Sequence, residues 1–328
     1  MEHSHFLFSS QAAISIVLPA FNEEKRLPPL LEQLRLLHVH PKDIELIVVD
    51  DGSSDRTADV SQNAIDLFFP LGKVVKMQTN SGKGSALRSG VAVASAPVII
   101  TMDADMATDL VAVEIAVAAL RETHIVIGSR VTEGSITQGV SRLRKIITKG
   151  FSLFLYVVTK HKVSDTQCGF KAYQGPVAKI LFATSVVNGF AQDAEILDLA
   201  YRNGLSIKEI PVEWRAIPGS KVKIVRDSLY SFFEFLNYRT NLRNLSLIEG
   251  FTITAEDGQF GFQQERLSFF PSESIFIKRD SGIEVLLAGI GSKKIMQIAD
   301  NYQSQFPNHQ VLHSTYEIGN ILELLQRD

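Results

Sequence analysis

The sequence predicts an α/β protein built on a central, mostly parallel sheet. Three observations predict it. Short apolar runs rich in β-branched residues recur through roughly the first 130 residues, and such runs suit strands buried on both faces. Segments of helical periodicity separate them, at the spacing of βα units. Each run then ends in a polar turn, most of them with glycine, and in open α/β sheets ligands bind at the carboxyl ends of strands.

Taken in order, Ala13–Leu18 is the first predicted strand, stopped by Pro19. Asn22 is the expected cap of the next helix, with Glu23 and Glu24 in its first turn and a stripe of Leu27, Leu30, Leu31, Leu34 and Leu37. Ile44–Val49 is the second strand, ending in Asp50-Asp51-Gly52-Ser53-Ser54-Asp55, and a helix follows from Arg56 to Asp66. Val74–Met77 is the third, followed by Asn80-Ser81-Gly82-Lys83-Gly84 and a helix. The strand beginning at Val98 leaves the core straight into Asp103 and Asp105. Alternation along an extended chain puts both acids on one side, with Ala104 turned away. Two hard oxygen ligands so placed suit a divalent cation that also holds phosphate oxygens. By itself, such a pair is more often an ordinary acidic loop. A helix over Leu110–Arg121 and a strand at Ile125–Ile127, ending in Gly128-Ser129-Arg130, complete this half.

From Ile136 to Thr159 the character changes. Ile146, Ile147, Phe151, Phe154, Leu155 and Val158 form an apolar face flanked by Arg142, Arg144, Lys145, Lys149, Lys160 and Lys162. The face is too short to span a bilayer, which takes about 20 residues. It fits a helix lying in a membrane interface, or a core-packed helix with a solvated basic edge. Val163–Tyr173 is an extended segment, Pro176–Ala183 a helix, and Ala191–Asn203 a helix closed by Gly204. Ser206–Trp214 alternates as one strand, and Asp227–Arg243 is a second aromatic helix. These elements make a domain over 1–245 with amphipathic helices at about 140–160 and 227–243. Residues 246–328 read as a small appended α/β domain: β-like pieces at Phe251–Ala255 and Ser274–Lys278, then βαβα over Glu284–Ala288, Lys293–Phe306, Gln310–His313 and Ile318–Gln326. Gly289-Ile290-Gly291-Ser292 lacks the third glycine of a dinucleotide turn and is expected to be a plain tight turn.

Composition bounds the chemistry. A net charge of −3 over 328 residues argues against nucleic-acid binding through overall charge. One cysteine, Cys168, excludes an intrachain disulfide framework and fits a reducing compartment. The N-terminus lacks a signal-peptide pattern, so a cytoplasmic protein, peripheral on the inner face of a membrane, is the expectation. There is no H-E-x-x-H, G-x-S-x-G, paired-cysteine site or P-loop. Asp50/Asp51, Gly82-Lys83-Gly84, Asp103/Asp105 and Arg130, all at strand ends, are instead suited to a base or ribose, a diphosphate, a metal and a second anion.

Ile16-Val17-Leu18-Pro19-Ala20-Phe21-Asn22-Glu23-Glu24, Val48-Val49-Asp50-Asp51-Gly52-Ser53-Ser54-Asp55, Asn80-Ser81-Gly82-Lys83-Gly84 and Met102-Asp103-Ala104-Asp105 resemble the family-2 glycosyltransferases of GT-A fold. Asp165-Thr166-Gln167-Cys168-Gly169-Phe170-Lys171 is similar to the polyprenyl-phosphate glucosyltransferases, the dolichyl-phosphate enzymes among them. Asp193-x-Glu195, the strand Glu209–Trp214 and Gly219-Ser220-Lys221 support the same subgroup, and the resemblance spans about residues 13–240. The chain departs from it in Gln192, where an aromatic is usual before the acid, in lacking transmembrane helices, and in its C-terminal region.

The resemblance implies an inverting transfer of a hexose, glucose from UDP-glucose first, to a polyprenyl phosphate. It implies a Mg²⁺ or Mn²⁺ held by Asp105 with help from Asp103, and Asp51 with Asp50 on uracil or ribose. Pro19, Ala20 and Glu23 would line the base, with Lys83 and Ala104 close to the nucleotide sugar. Arg130, Arg144 and Lys171 are the candidates for the acceptor phosphate. Asp165 or Asp193 would orient the acceptor or act as base, with Asp165 favoured for its place in the subgroup motif. Two other readings stay open: a soluble transferase with a small-molecule or polysaccharide acceptor, and a non-catalytic nucleotide-sugar sensor.

Overall fold

The computed structural model describes residues 5–6, 12–105, 107–139, 142–160, 163–217, 224–240, 247–255, 275–279, 282–286, 292–305 and 309–317, with the backbone alone for 5–6, 142–146, 224–225 and most of the strands after 246. Ile318–Gln326 and the Gly289–Ser292 turn before Ser292 fall outside the described residues.

The elements run β1 (His5–Phe6), β2 (Ile14–Ala20), α1 (Leu27–Leu34), β3 (Ile44–Asp50), α2 (Thr57–Phe68), β4 (Lys73–Lys76), α3 (Lys83–Val93), β5 (Val98–Thr101), α4 (Val111–Ala119) and β6 (Ile125–Ser129). Then come β7 (Ile136–Gln138), α5 (Arg142–Thr159), β8 (Lys171–Gln174), α6 (Gly175–Thr184), α7 (Gln192–Arg202), β9 (Ile207–Pro211), β10 (Glu213–Arg215) and α8 (Ile224–Thr240). The chain closes with β11 (Leu247–Ala255), β12 (Ile275–Arg279), β13 (Gly282–Leu286), α9 (Ser292–Gln305) and β14 (His309–Glu317).

The main sheet has seven strands in the order β4-β3-β2-β5-β8-β6-β9. All its pairings are parallel except those of β8, which runs antiparallel between β5 and β6. Both faces are dry. Val17, Ile47, Val49, Ile99, Ile125 and Ile127 face one core with α3, α6, α7 and α8, while Ile16, Leu18, Leu46, Val48, Ile100 and Val126 face the other with α1, α2 and α4. From β2 the chain builds outward through β3 and β4, then returns to pair β5 on the other side of β2. The carboxyl ends of β2 and β5 thus flank a topological switch point, where open sheets bind ligands.

Several boundaries differ from the sequence expectation, each for a local reason. Pro19 lies inside β2, paired opposite Val49. Val17 turns its carbonyl to Met102 and Ala20 turns its own to Asp51, so alternation directs Pro19 toward β5, which has already ended at Thr101; no ladder bond is lost. Asn22 does not cap α1. It sits at φ 55 and accepts from the Ser54 N–H at 2.8 Å, and α1 begins later, with prolines in its first positions. The predicted strand Ser206–Trp214 is two strands: β9 joins the main sheet, and β10 pairs with β7 in a separate two-stranded ribbon. Gly204 does close α7, at φ 69, with Leu205 N–H bonding Ala200 O and Gly204 N–H bonding Tyr201 O.

A second sheet, β1-β12-β13-β11-β14, is antiparallel throughout, and the N-terminal strand His5–Phe6 forms one of its edges.

Candidate active site

A cleft of about 510 Å³ opens at the switch point, lined by Pro19, Ala20, Glu23, Asp51, Lys83, Asp103, Ala104, Asp105, Arg130 and Asp193 among others. Of the residues singled out in the sequence, these ten come together.

On the acid edge, β5 ends at Thr101 and the chain turns at Ala104 and Asp105, so a turn rather than extended alternation presents the carboxylates. Asp105 accepts from the Ala107 N–H at 3.1 Å. Burial, reinforced by the neighbouring Asp103 charge, raises its pKa above the ordinary carboxylate value. Asp103 Oδ1 pairs with Lys83 Nζ at 2.9 Å. A Cβ on Gly169 would stand 2.0 Å from Asp103 Oδ2, so the absence of a side chain there makes room for the acid. The two side chains are 42% and 26% exposed, Asp103 the more open but the one already engaged by a cation. Among the described residues, no three or more His, Cys, Asp or Glu side chains are placed to hold a metal ion together. A two-carboxylate set fits Mg²⁺ or Mn²⁺, which complete their shells with phosphate oxygens and water rather than with an all-protein cage.

Past the end of β3, Asp51 accepts from the Ser81 and Gly82 N–H groups at 2.8 and 2.9 Å. Burial raises its pKa, against the pull of those two amides. Gly82 holds φ 99 at the start of α3, and a Cβ there or on Gly84 would press within 2.5 Å of the Asn188 or Val187 carbonyl. These glycines let α3 enter the cleft with Lys83 at its first position. Asp50 does not line the cleft: it is buried behind Asp51 and accepts from the Ser53 N–H at 3.0 Å.

Opposite lies a chain of alternating charges. Asp193, on the first turn of α7, takes Lys83 at 3.0 Å through Oδ2 and Lys171 at 2.5 Å through Oδ1. Burial opposes its charge, but the two ammonium groups outweigh burial and hold its pKa below the ordinary value. Lys83 shows the reverse balance: burial lowers its pKa, and Asp103 and Asp193 more than offset this, raising it. Lys171 is 0% exposed, bonds the Cys168 carbonyl at 2.6 Å and lies beneath Asp193, so it supports that acid instead of facing an acceptor. Asp165 is also outside the cleft lining. At 2% exposure it clamps Arg130 through Nε at 2.7 Å and Nη2 at 2.8 Å, with the Arg130 guanidinium 5.6 Å from the Trp214 ring centroid. Of these two acids, the one that reaches the cleft is Asp193, while Asp165 holds Arg130. Arg144 belongs to α5, but its side chain lies outside the described residues.

Sequence reasoning missed Arg26, Gln167, Phe190, Trp214 and Arg226, all lining the cleft. The available signal was position: Gln167 and Trp214 sit within motifs already singled out, and Arg26 beside one.

The helices α5 and α8 form the outer wall, through Ile147, Thr148, Phe151, Arg226, Asp227, Ser228 and Ser231. They pack on each other by Phe154 and Phe232, ring centroids 4.4 Å apart. Tyr238 and Arg239 of α8 donate to Asp198 of α7 at 2.8 and 3.1 Å, which locks the wall to the core. Of the two readings of the α5 stripe, Phe151 and Leu155 follow the core-packed one, since both are buried. The outward residues are Leu153, Tyr156 and Val157 of α5 and Leu229, Tyr230 and Phe233 of α8, the last two 65% and 64% exposed. Among the described residues, no helix is long and apolar enough to cross a membrane.

Fold and cleft are those of a glycosyltransferase, and the chain belongs to the family described as Glycosyl transferase family 2, matched over residues 15–181. Its relatives include a dolichyl-phosphate beta-glucosyltransferase of Trichomonas vaginalis, 35% identical over 223 residues that cover 64% of this chain and 68% of that protein. The dolichyl-phosphate beta-glucosyltransferase of Homo sapiens is 34% identical over 225 residues, 64% of this chain and 69% of the human protein. Among solved structures, glucosyl-3-phosphoglycerate synthase from Mycobacterium tuberculosis in complex with Mn²⁺ and UDP-glucose superposes with a TM-score of 0.53 at 21% identity, covering 69% of this chain and 78% of that one. At that identity the likeness is one of fold, and the fold is the GT-A arrangement.

Proposed function

We propose that this chain transfers glucose from UDP-glucose to a polyprenyl phosphate of the dolichyl type, with inversion, at a membrane surface. The names of its relatives support the donor and acceptor classes. One observation carries the choice of a phosphate acceptor: Asp193, the acid at the reacting end of the cleft, is held by Lys83 and Lys171. A carboxylate stabilised this way is a weak base, ill suited to deprotonating a sugar hydroxyl. A phosphate monoester, with a second pKa of about 6, is already a nucleophile near neutral pH and needs cations more than a base.

In this reading Asp51, Pro19 and Ala20 hold the nucleoside. A divalent cation on Asp105 and Asp103 would supply charge neutralisation for the leaving diphosphate. Arg130, fixed by Asp165, binds the acceptor phosphate, and Asp193, an acceptor-only carboxylate, acts by holding the Lys83 ammonium in the cleft. The acceptor oxygen attacks C1 from the face opposite the diphosphate, forming one C–O bond as the other breaks.

The apolar side chains Leu153, Tyr156, Val157, Leu229, Tyr230 and Phe233 dock on the lipid surface, with exposed Lys149, Lys160 and Arg226 toward anionic headgroups. The same helices wall the cleft, so the acceptor's phosphate enters where its chain stays in lipid. The sheet β1-β12-β13-β11-β14 and helix α9 make up a second unit of the chain.

Liposomes containing polyprenyl phosphate, supplied with UDP-[¹⁴C]glucose, test the proposal. A labelled glucolipid that EDTA prevents is expected. Label appearing only on water-soluble acceptors sinks the lipid reading, and no transfer at all favours a nucleotide-sugar sensor.

A further inference from the structure

We propose that Arg26, which none of the family motifs above assigns, is a diphosphate-binding residue of the donor subsite, and that Glu23 is its positioning residue. The inference rests on the nucleotide-sugar reading of the cleft and gives it a further contact.

Arg26 stands at the start of α1, directly after the β2 turn, and lines the cleft. Its guanidinium is fixed on one edge. Nε donates to Glu23 Oε2 at 2.6 Å and Nη2 donates to Glu23 Oε1. Glu23 is itself buried, and its backbone N–H is held by Thr57 Oγ1 at 2.7 Å, so the clamp is anchored to α2. A carboxylate paired in this two-toothed way orients a planar guanidinium, and its remaining N–H groups point in a set direction.

That direction is occupied by Nη1, which is buried and has no hydrogen-bond partner among the described residues. Its neighbour is Asp105 Oδ2 at 3.9 Å, beyond hydrogen-bond length. A buried charged donor left without an acceptor is costly, and such groups persist where a ligand completes them. The ligand must be anionic, because Nη1 is a cationic donor with no acceptor capacity. It must also lie between the nucleoside side of the cleft, at Pro19, Ala20 and Asp51, and the acid Asp105. In a nucleoside diphosphate sugar the group between nucleoside and cation-bridged oxygens is the diphosphate. Lysine would not serve in this position, since one ammonium cannot both pair with Glu23 along two bonds and aim a third at the cleft.

Calorimetry on the full chain with saturating Mn²⁺, comparing UDP with uridine, tests this, with Mn²⁺ binding alone followed by electron paramagnetic resonance. Arg26→Gln is expected to weaken UDP by tenfold or more, leave uridine within twofold and leave Mn²⁺ alone unweakened. Arg26→Lys should lose as much as Arg26→Gln, and Glu23→Gln should lose less with the same pattern, so a failure of Arg26→Gln to fold leaves two variants that decide. Equal losses for UDP and uridine would mean a merely structural role and overturn the proposal. Unchanged UDP binding with tighter Mn²⁺ would make Arg26 a counter-ion of Asp105 and overturn it too. A native chain that binds no UDP would remove both this inference and the donor reading beneath it, whereas failure of the lipid assay alone leaves it standing.

Discussion

Lys83 and Asp103 form an ion pair of 2.9 Å inside the cleft, while Asp105, in the same turn, has among the described residues only Arg26 as a cation near it, at 3.9 Å. If the proposed cation binds here, the two acids should be unequal ligands for it. Asp105→Asn should abolish metal-dependent turnover, by about 100-fold or more, as expected when the group that neutralises a leaving diphosphate is lost. Asp103→Asn should cost less. Mn²⁺ titration of both variants checks the order, and equal loss in the two refutes it.

Asp193 makes a prediction about pH. Its folded pKa lies below the ordinary aspartate value, because Lys171 and Lys83 outweigh the effect of burial. The ionised acid therefore adds stability above its unfolded pKa of about 3.9, and that stability is lost as pH falls through the lower folded value. The acid limb of kcat/KM due to Asp193 should accordingly lie below the ordinary aspartate range. Lys171→Met should move it to higher pH and destabilise the fold, by about 3–5 kcal/mol if the buried pair behaves as others do. An acid limb that stays in place in that variant would separate Lys171 from Asp193.

Asp165 and Asp193 should separate by kinetics, since replacing either one leaves a buried cation without its carboxylate and lowers stability. Asp165→Asn leaves the Arg130 guanidinium buried without its carboxylate, a loss of about 3–5 kcal/mol for pairs of this kind. Its Tm should fall, and KM for the phosphate acceptor should rise as Arg130 loses its orientation. Asp193→Asn should instead lower kcat at near-native KM for the donor. Thermal melts with steady-state kinetics on the two variants provide the check; the opposite pattern would return the role at the reacting end to Asp165.

Tyr230→Glu combined with Phe233→Glu should reduce partition onto anionic vesicles by about tenfold or more, since each large apolar side chain taken out of water contributes about 1.5–3 kcal/mol and 1.4 kcal/mol is tenfold. Both are outward-facing, so Tm should hold. Vesicle co-sedimentation reads the first and a melt the second. Unchanged partition would mean that this face meets something other than lipid.

Much of this was legible in the chain itself. Buried strands announce themselves by unbroken apolar runs, and the acids, Gly82 and Lys83 declared the sheet edge because motif residues cluster at strand ends. What the sequence hid was anything set by a partner distant in the chain. Asp165 and Asp193 look alike as isolated acids; only the fold shows one beneath Arg130 and the other between two lysines. The stripe Phe151, Phe154, Leu155 is equally apolar whether it meets a core or a lipid, and Phe232 and Phe235 of α8 decide the matter by packing against it. Arg26 showed only its place beside a motif; its clamp by Glu23 and its opening onto the cleft appear in the fold.

The pairing of His5–Phe6 with Ile277–Lys278 has a practical consequence. The first described strand lies in the second sheet, the strands of the main sheet follow it, and the chain rejoins the second sheet at Leu247. The enzyme is thus threaded through its neighbour as a long insertion. Cutting at residue 245 alone would strand an edge of that sheet on the catalytic half, as a short unpaired ribbon at its amino end. A clean excision needs two cuts, one before Ala12 and one after Thr240, and a fluorophore pair at the two junctions would report any swing of one body against the other.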